Sequence, residues 1–250
     1  MTLDNAKKKK IRIDQLLVER GLVESRQRGQ ALLMAGQVLV NDMPVTKAGQ
    51  MIAEDAALRI KGDDNPYVSR GGLKLEGALA HYGIEPQGWV CLDVGASTGG
   101  FTDCLLQKGA AKVYALDVGT NQLAWKLRSD PRVVSWEQMH VNKLSPEHIS
   151  EKLDLIVTDV SFISLTLVIP YLIPLMQSGA RLLAMVKPQF EVGKGEVGKG
   201  GVVREEEQQL EAVAKIEAFL KERGFTPEPV CPAPIQGPKG NQEYFLFVNR

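Results

Sequence analysis

The chain has 250 residues, 30 Lys+Arg against 30 Asp+Glu, and three cysteines. That length accommodates one large domain and one small one. A formal net charge of zero excludes binding to nucleic acid through overall charge, so any such surface must be local.

The charge is uneven. From Lys7 to Arg28, eight Lys/Arg stand against three Asp/Glu, which marks a candidate nucleic-acid patch. For Lys7–Lys10 the alternative is a solvated tail. Cys91, Cys104 and Cys231 have neither disulfide nor metal-ligand spacing, and His81, His140 and His148 form no cluster. Buried free thiols in a reducing cytoplasm, and no metal, are therefore expected. The lysine-rich start is not followed by an apolar stretch and does not read as a secretory signal. The most apolar segment, Val160–Met176, is interrupted by Pro170 and Pro174 and is too short to span a bilayer well.

Residues 1–10 read as a disordered basic tail. From Ile11, the period Ile13-Leu16-Leu17 predicts a short helix closed by Gly21. Ser25 caps a second predicted helix that runs to Met34 and ends at Gly36. Val38–Val40 is a strand, Asn41-Asp42 a turn, Val45 starts the return, and Leu58–Ile60 is a last short strand. Residues 11–62 thus form a small α+β module, marginal as a free-standing fold. The polar stretch Lys61–Arg70, "KGDDNPYVSR", supplies the interdomain linker, set at residues 63–70.

Residues 71–250 alternate strand and helix. Strands are predicted at Val90–Val94, Lys112–Asp117, Arg132–Trp136, Leu153–Asp159 and Ala180–Val186, mostly as continuous apolar runs. A helix fills Glu205–Arg223, with the apolar stripe Leu210, Val213, Ile216, Leu220 and Gly224 as its cap. Glu243–Val248 is a final strand. This alternation implies an α/β fold with a doubly wound parallel sheet.

"CLDVGASTGGF", Cys91–Phe101, is a strand, a glycine-rich turn and a helix start. Such a turn brings backbone close to a ligand and aims helix N-terminal amides at it. The next strand ends in "YALDVG", with Asp117 at its tip, where a carboxylate can accept from both hydroxyls of a ribose. Together they fit an adenosine cofactor, either a nicotinamide dinucleotide or S-adenosylmethionine. Two details favour the methyl donor. The turn has Gly95, Gly99 and Gly100 but not the G-x-G-x-x-G spacing. Asp93, just before the turn, would repel a pyrophosphate and suit a cationic methionyl group. The alternative for Asp93 is to tie down local backbone.

Strand "VTDVSF" ends with Asp159 at its tip, and "MVKPQF" with Lys187. Strand carboxyl ends form the ligand crevice of open α/β sheets, so opposite charges there are a candidate catalytic pair rather than a surface ion pair. Phe162 follows Asp159 and is placed to pack on the cofactor or in the core. The loop Gly193–Gly201, "GKGEVGKGG", follows the Lys187 strand and reads as a lid over the crevice or as an ordinary mobile loop. By spacing alone, Lys74 and Glu243 read as solvated.

The motifs "VSRGGLKL", "LDVGASTGG", "TDVSFISL" and "VKPQFE", with "IRIDQLLVERGLVESRQRGQALLMAGQVLVND" before them, carry a family resemblance. The C-terminal part resembles the FtsJ-type ribose 2′-O-methyltransferases, and the N-terminal module resembles the S4 domain of ribosomal proteins. The whole, from about Ile11 to Val248, is similar to the TlyA family of ribosomal RNA methyltransferases, often labelled haemolysin A. The resemblance implies a Rossmann-like class I methyltransferase domain behind a small S4-like RNA-binding domain. It implies a Lys-Asp-Lys-Glu tetrad at Lys74, Asp159, Lys187 and Glu243. It implies S-adenosylmethionine held by Asp93, Gly95, Ala96, Ser97, Gly99, Gly100, Asp117, Val118, Asp159 and Phe162. The acceptor it implies is a ribose 2′-hydroxyl, of cytidine, in 16S or 23S ribosomal RNA or both.

Lys187 is expected to act as a charged group stabilising the 2′-oxygen, because the carboxylates of Asp159 and Glu243 favour an ammonium over a neutral base. In the front module Arg12, Arg20, Arg26 and Arg28 are the expected phosphate contacts. The module has no aromatic platform, so shape and phosphate recognition of folded RNA is expected rather than base reading. The rival readings are a membrane-active haemolysin, a catalytically inert RNA binder and a nicotinamide dehydrogenase.

Overall fold

A computed structural model describes residues 10–250 except 21, 24, 42, 62–64, 194, 199 and 238. The chain divides into two units, Met1–Asp64 and Asn65–Arg250.

The smaller unit contains β1 (Lys10–Arg12), α1 (Ile13–Glu19), α2 (Arg26–Met34), β2 (Val38–Val40), β3 (Met43–Val45), β4 (Met51–Ala53) and β5 (Leu58–Ile60). Ile13, Leu16 and Leu17 of α1 and Leu32 and Leu33 of α2 bury together against Val38, Val45, Ile52 and Ile60. Ser25 caps α2, its hydroxyl accepting from the Arg28 N–H at 3.2 Å. Strands β3, β2 and β5 form one antiparallel sheet. β1 and β4 form a two-stranded ribbon that the sequence does not announce, with Ile11 opposite Ile52. Each of its strands has three residues, too few for an alternating pattern to register. Gly21, Asp42, most of the basic tail and residues 62–64 of the linker lie outside the described residues.

The larger unit runs α3 (Gly71–His81), β6 (Val90–Val94), α4 (Gly100–Gln107), β7 (Lys112–Leu116), α5 (Trp125–Arg128), β8 (Val133–Trp136), β9 (Leu155–Thr158), α6 (Leu165–Leu172), β10 (Arg181–Val186), α7 (Pro188–Glu191), α8 (Glu206–Lys221), β11 (Cys231–Pro232) and β12 (Tyr244–Asn249). Its sheet has the order β11-β12-β10-β9-β6-β7-β8. Both faces are covered. Alternate strand residues such as Cys91, Val113, Leu155 and Leu183 pack toward α3 and α4, and their neighbours Leu92, Tyr114, Ile156 and Leu182 toward α6 and α8.

The expected parallel sheet is present from β10 to β8, but the other edge corrects it. β12 runs antiparallel to β10, and β11 antiparallel to β12. The direction matters because Val186, the last residue of β10, lies opposite Tyr244, the first of β12. Lys187 and Glu243 are the next residues outward, so both emerge at the same end of the sheet. A parallel strand would have carried Glu243 to the far end.

Two helices also depart from the sequence reading. α3 was not expected, although Leu75, Ala78 and Leu79 have helical spacing and are buried. In α8, Leu210 points to solvent, and Gln209 takes the inward position with Val213, Ile216 and Leu220. Gln209 is tolerated there because its amide donates to the Val203 carbonyl and accepts from the Tyr244 hydroxyl, both at 2.8 Å. No helix among the described residues is long and apolar enough to cross a membrane.

Candidate active site

The parallel ladder pairs Thr158 with both Val94 and Ala184, which aligns the carboxyl ends of β6, β9 and β10. Asp159 leaves β9 there, and Lys187 leaves β10. Lys187 Nζ lies 2.6 Å from Asp159 Oδ1 and donates to the Ser161 hydroxyl at 2.8 Å. Lys74, buried in α3, forms an ion pair with Glu243, buried ahead of β12. The four residues line a single cleft of about 670 Å³. Burial pushes the Asp159 carboxyl up from its ordinary value, and Lys187 and Lys74 oppose that shift.

The glycine turn borders the same cleft through Gly95, Ala96, Ser97 and Gly100. Gly95 has φ +88°, and a Cβ there would lie 2.9 Å from the Asp159 carbonyl oxygen. A Cβ on Gly100 would lie 2.8 Å from the Gly72 nitrogen at the start of α3. The turn is therefore pressed between the β9 tip and α3, and only glycine fits. Gly99 packs instead against Leu123 and Leu127.

The acidic residues expected at the cofactor have hydrogen-bond partners within the chain. Asp117 accepts from the Ser97 N–H at 2.8 Å and the Gly119 N–H at 2.7 Å, which ties the glycine turn to the β7 tip. Neither Asp117 nor the exposed Val118 lines the cleft. Asp93 is wholly buried in β6, with Oδ2 accepting from the Thr102 hydroxyl at 2.7 Å and Oδ1 without a hydrogen-bond partner. Burial pushes its carboxyl up to about 7, the Thr102 bond opposes this, and the nearby charges of Asp159 and Asp117 add to it. A turn of glycines and small side chains with acidic groups beside it fits a cationic adenosyl donor better than a pyrophosphate.

Phe162 is not a core residue. It is 89% exposed, has φ +63°, and sets its ring 4.9 Å from Phe190 on the cleft lining. Ser161, Gln189 and Phe190, not among the expected site residues, also line the cleft. Their signal was position, since each stands within three residues of a charged strand tip. Of the Gly193–Gly201 loop, Val197 and Gly201 line the cleft, and Asn241 holds its far end by accepting from Val203 N–H and donating to Gly201 O. Lys194 and Lys199 lie outside the described residues.

In the smaller unit, three of the four expected RNA-contacting arginines have structural partners. Asp14 is wholly buried and accepts from Arg12, Arg26 and Gln30, the nearest contacts being 2.9 Å. The Arg12 hydrogen bonds, aided by Gln30 and Arg26, hold the Asp14 carboxyl well below the usual carboxylate range against its burial. Arg20 donates to the carbonyls of Ala56 and Glu54. Arg12 and Arg26 remain about half exposed, and Arg28 is exposed.

Both parts of the chain resemble known proteins. Residues 67–250 match the family described as FtsJ-like methyltransferase, and residues 11–58 match the S4 domain. The chain is 45% identical over 241 residues to the 16S/23S rRNA (cytidine-2′-O)-methyltransferase TlyA of Mycobacterium tuberculosis, covering 96% of this chain and 90% of that protein. It is 40% identical over 235 residues to Hemolysin A of Brachyspira hyodysenteriae, covering 94% and 98%. A solved structure from Streptococcus thermophilus, named as a hemolysin, aligns with a TM-score of 0.76 and 42% identity over 96% of this chain and 88% of that one. The chain belongs to the FtsJ-like methyltransferase family, with an S4 domain preceding the methyltransferase domain in sequence.

Proposed function

We propose that this protein transfers a methyl group to the ribose 2′-hydroxyl of a cytidine in ribosomal RNA. The observation that carries the reading is the pair of lysine–carboxylate contacts, Lys187–Asp159 and Lys74–Glu243, lining one cleft beside the glycine turn. The similarity to a cytidine-2′-O-methyltransferase of ribosomal RNA supports the same acceptor.

S-adenosylmethionine, when bound, supplies an electrophilic methyl group on a sulfonium. The chain's own residues do the rest by alignment and charge. The Gly95–Gly100 backbone and Ser97 hold the donor side of the cleft, with Asp117 fixing the turn from behind. Lys187 takes the acceptor 2′-oxygen, and its ammonium stabilises the negative charge that grows there as the hydroxyl proton passes to water in the open cleft. Asp159 and Ser161 fix the direction of that ammonium. Lys74 is paired with Glu243, so its charge is largely compensated at Lys187. This supports Lys187 as an electrostatic and positioning group rather than a free base.

In this reading residues 11–62 form the RNA-binding module, 63–70 the linker and 71–250 the catalytic domain. The half-exposed guanidinium groups of Arg12 and Arg26 and the exposed Arg28 contact phosphate, and Phe162 packs on the cofactor from the cleft lining. The protein works in the cytoplasm, where ribosomal subunits are available. Three buried free cysteines are consistent with a reducing compartment.

Purified protein incubated with labelled methyl donor and ribosomal subunits tests the reading, with methylated riboses then mapped. Label on a cytidine 2′-oxygen is expected. The Hemolysin A name of one relative supplies the second outcome: erythrocyte lysis by pure protein, with no label in RNA, would sink the proposal.

A further inference from the structure

We propose that Glu191 is a positioning residue for methyl transfer, clasping the loop after Asp159 to the helix after Lys187. The inference rests on the transfer reading above and adds to it the Phe162–Phe190 and Glu191 contacts.

Residues 159–165 and 187–191 leave adjacent strands and meet along their length. Closest to the sheet, Lys187 contacts Asp159 and Ser161 at 2.6 and 2.8 Å. Midway, the rings of Phe190 and Phe162 lie 4.9 Å apart. Furthest out, Glu191 Oε2 accepts from the Ser164 hydroxyl at 2.6 Å, and Oε1 accepts from the Leu165 N–H at 2.7 Å. The Glu191 side chain is 1% exposed, and Lys215 Nζ lies 3.6 Å away.

Burying a carboxylate is costly unless it is hydrogen-bonded and paired, and Glu191 meets both conditions. Its acceptors serve the start of α6, where backbone N–H groups have no partner within the helix. The bond to Leu165 therefore fixes where α6 begins relative to α7. The three residues upstream, Ser161, Phe162 and Ile163, have little freedom left. Phe162 is held in a left-handed conformation that a bulky side chain rarely adopts, with its ring exposed. Strain of this kind persists only when both ends of a segment are fixed. The Lys187 contacts fix one end, and Glu191 fixes the other. The glycine turn and Asp117 belong to β6 and β7, on the other side of β9, and share no hydrogen bond with Glu191 among the contacts described.

Glu191→Ala should therefore lower kcat 10- to 100-fold, because small misplacements of aligned groups cost that much. The dissociation constant for S-adenosylmethionine should rise by less than kcat falls, because the glycine turn keeps its contacts and only Asp159 and Phe162, among the residues expected at the donor, lie in the clasped segment. Glu191→Gln should recover most of kcat, since its carbonyl can accept from Leu165 N–H while its amide donates to Ser164 Oγ. A stability control is Glu151→Ala. Glu151 bonds Lys112 and Tyr114 at the opposite end of β7, so its loss should destabilise without changing kcat. The proposal fails if Glu191→Ala slows turnover no more than Glu151→Ala, or if donor affinity falls as far as kcat. Failure of Glu191→Gln to recover turnover overturns it too. A wild-type enzyme that labels no subunit RNA is a different result: it overturns the transfer reading and any role of Glu191 within it.

Discussion

Lys74 and Glu243, 169 positions apart in sequence, form an ion pair from which solvent is almost excluded. Breaking such a pair leaves an uncompensated buried charge, at a typical cost of about 3–5 kcal/mol. Glu243→Gln and Lys74→Met should each destabilise the large domain, and the double variant should be less destabilised than the sum of the two. A double-mutant cycle of chemical denaturation checks this. Strict additivity would mean the pair is not coupled in solution.

The Lys187–Asp159 contact makes a kinetic prediction. Lys187→Met should lower kcat by about 10²–10³-fold, the scale for loss of one charge-stabilising donor. Lys187→Arg separates the two roles a lysine can have, since a guanidinium retains charge and cannot give up its proton near neutral pH. Appreciable turnover at neutral pH, with no new ionisation in the pH–rate profile, is expected. A fall as deep as that of Lys187→Met would favour the neutral-base mechanism.

Asp93 predicts a pH dependence of stability. Its folded pKa is raised from 3.8 to about 7, so between those values the folded state binds more protons than the unfolded one. Its contribution is then greatest below pH 3.8 and declines as pH rises toward about 7, by at most about 1.4 kcal/mol per pH unit. Asp93→Asn should flatten that decline. Denaturation midpoints of both proteins at pH 5 and pH 7.5 measure it, and parallel slopes would contradict it.

Gly95→Ala joins two costs. The positive φ alone disfavours an L-residue by about 1–2 kcal/mol, and the new methyl group presses on the backbone carbonyl of Asp159. Donor affinity and kcat should fall together, because one displacement moves both the turn and the β9 tip. Calorimetric binding and single-turnover rates on the same protein would reveal any separation of the two.

Arg26 and Arg28 should behave differently. Arg26→Ala removes a partner of buried Asp14, so it should lower the stability of the smaller unit as well as RNA affinity. Arg28→Ala should leave stability nearly unchanged and reduce the salt slope of RNA binding by about one ion. An unchanged salt slope for Arg28→Ala would remove it from the phosphate contacts.

The sequence by itself determined the five parallel strands, the glycine turn and the charged tips at Asp159 and Lys187. Each is written in a local pattern: a run of apolar residues, a cluster of glycines, a charge directly after a strand. It also marked the arginine-rich end. What it did not contain was direction and partnership. The antiparallel course of β12 sets Tyr244 opposite Val186 and so brings Glu243 to the Lys187 end. α3 then carries Lys74 to meet it, and by spacing alone both residues looked solvated. Asp14 is similar, an ordinary acidic residue in sequence that the fold buries among Arg12, Arg26 and Gln30. The physical reason is common to these cases. Strand and helix patterns arise from neighbours along the chain, whereas a buried charge is stabilised by partners that only the folded chain brings within hydrogen-bonding reach.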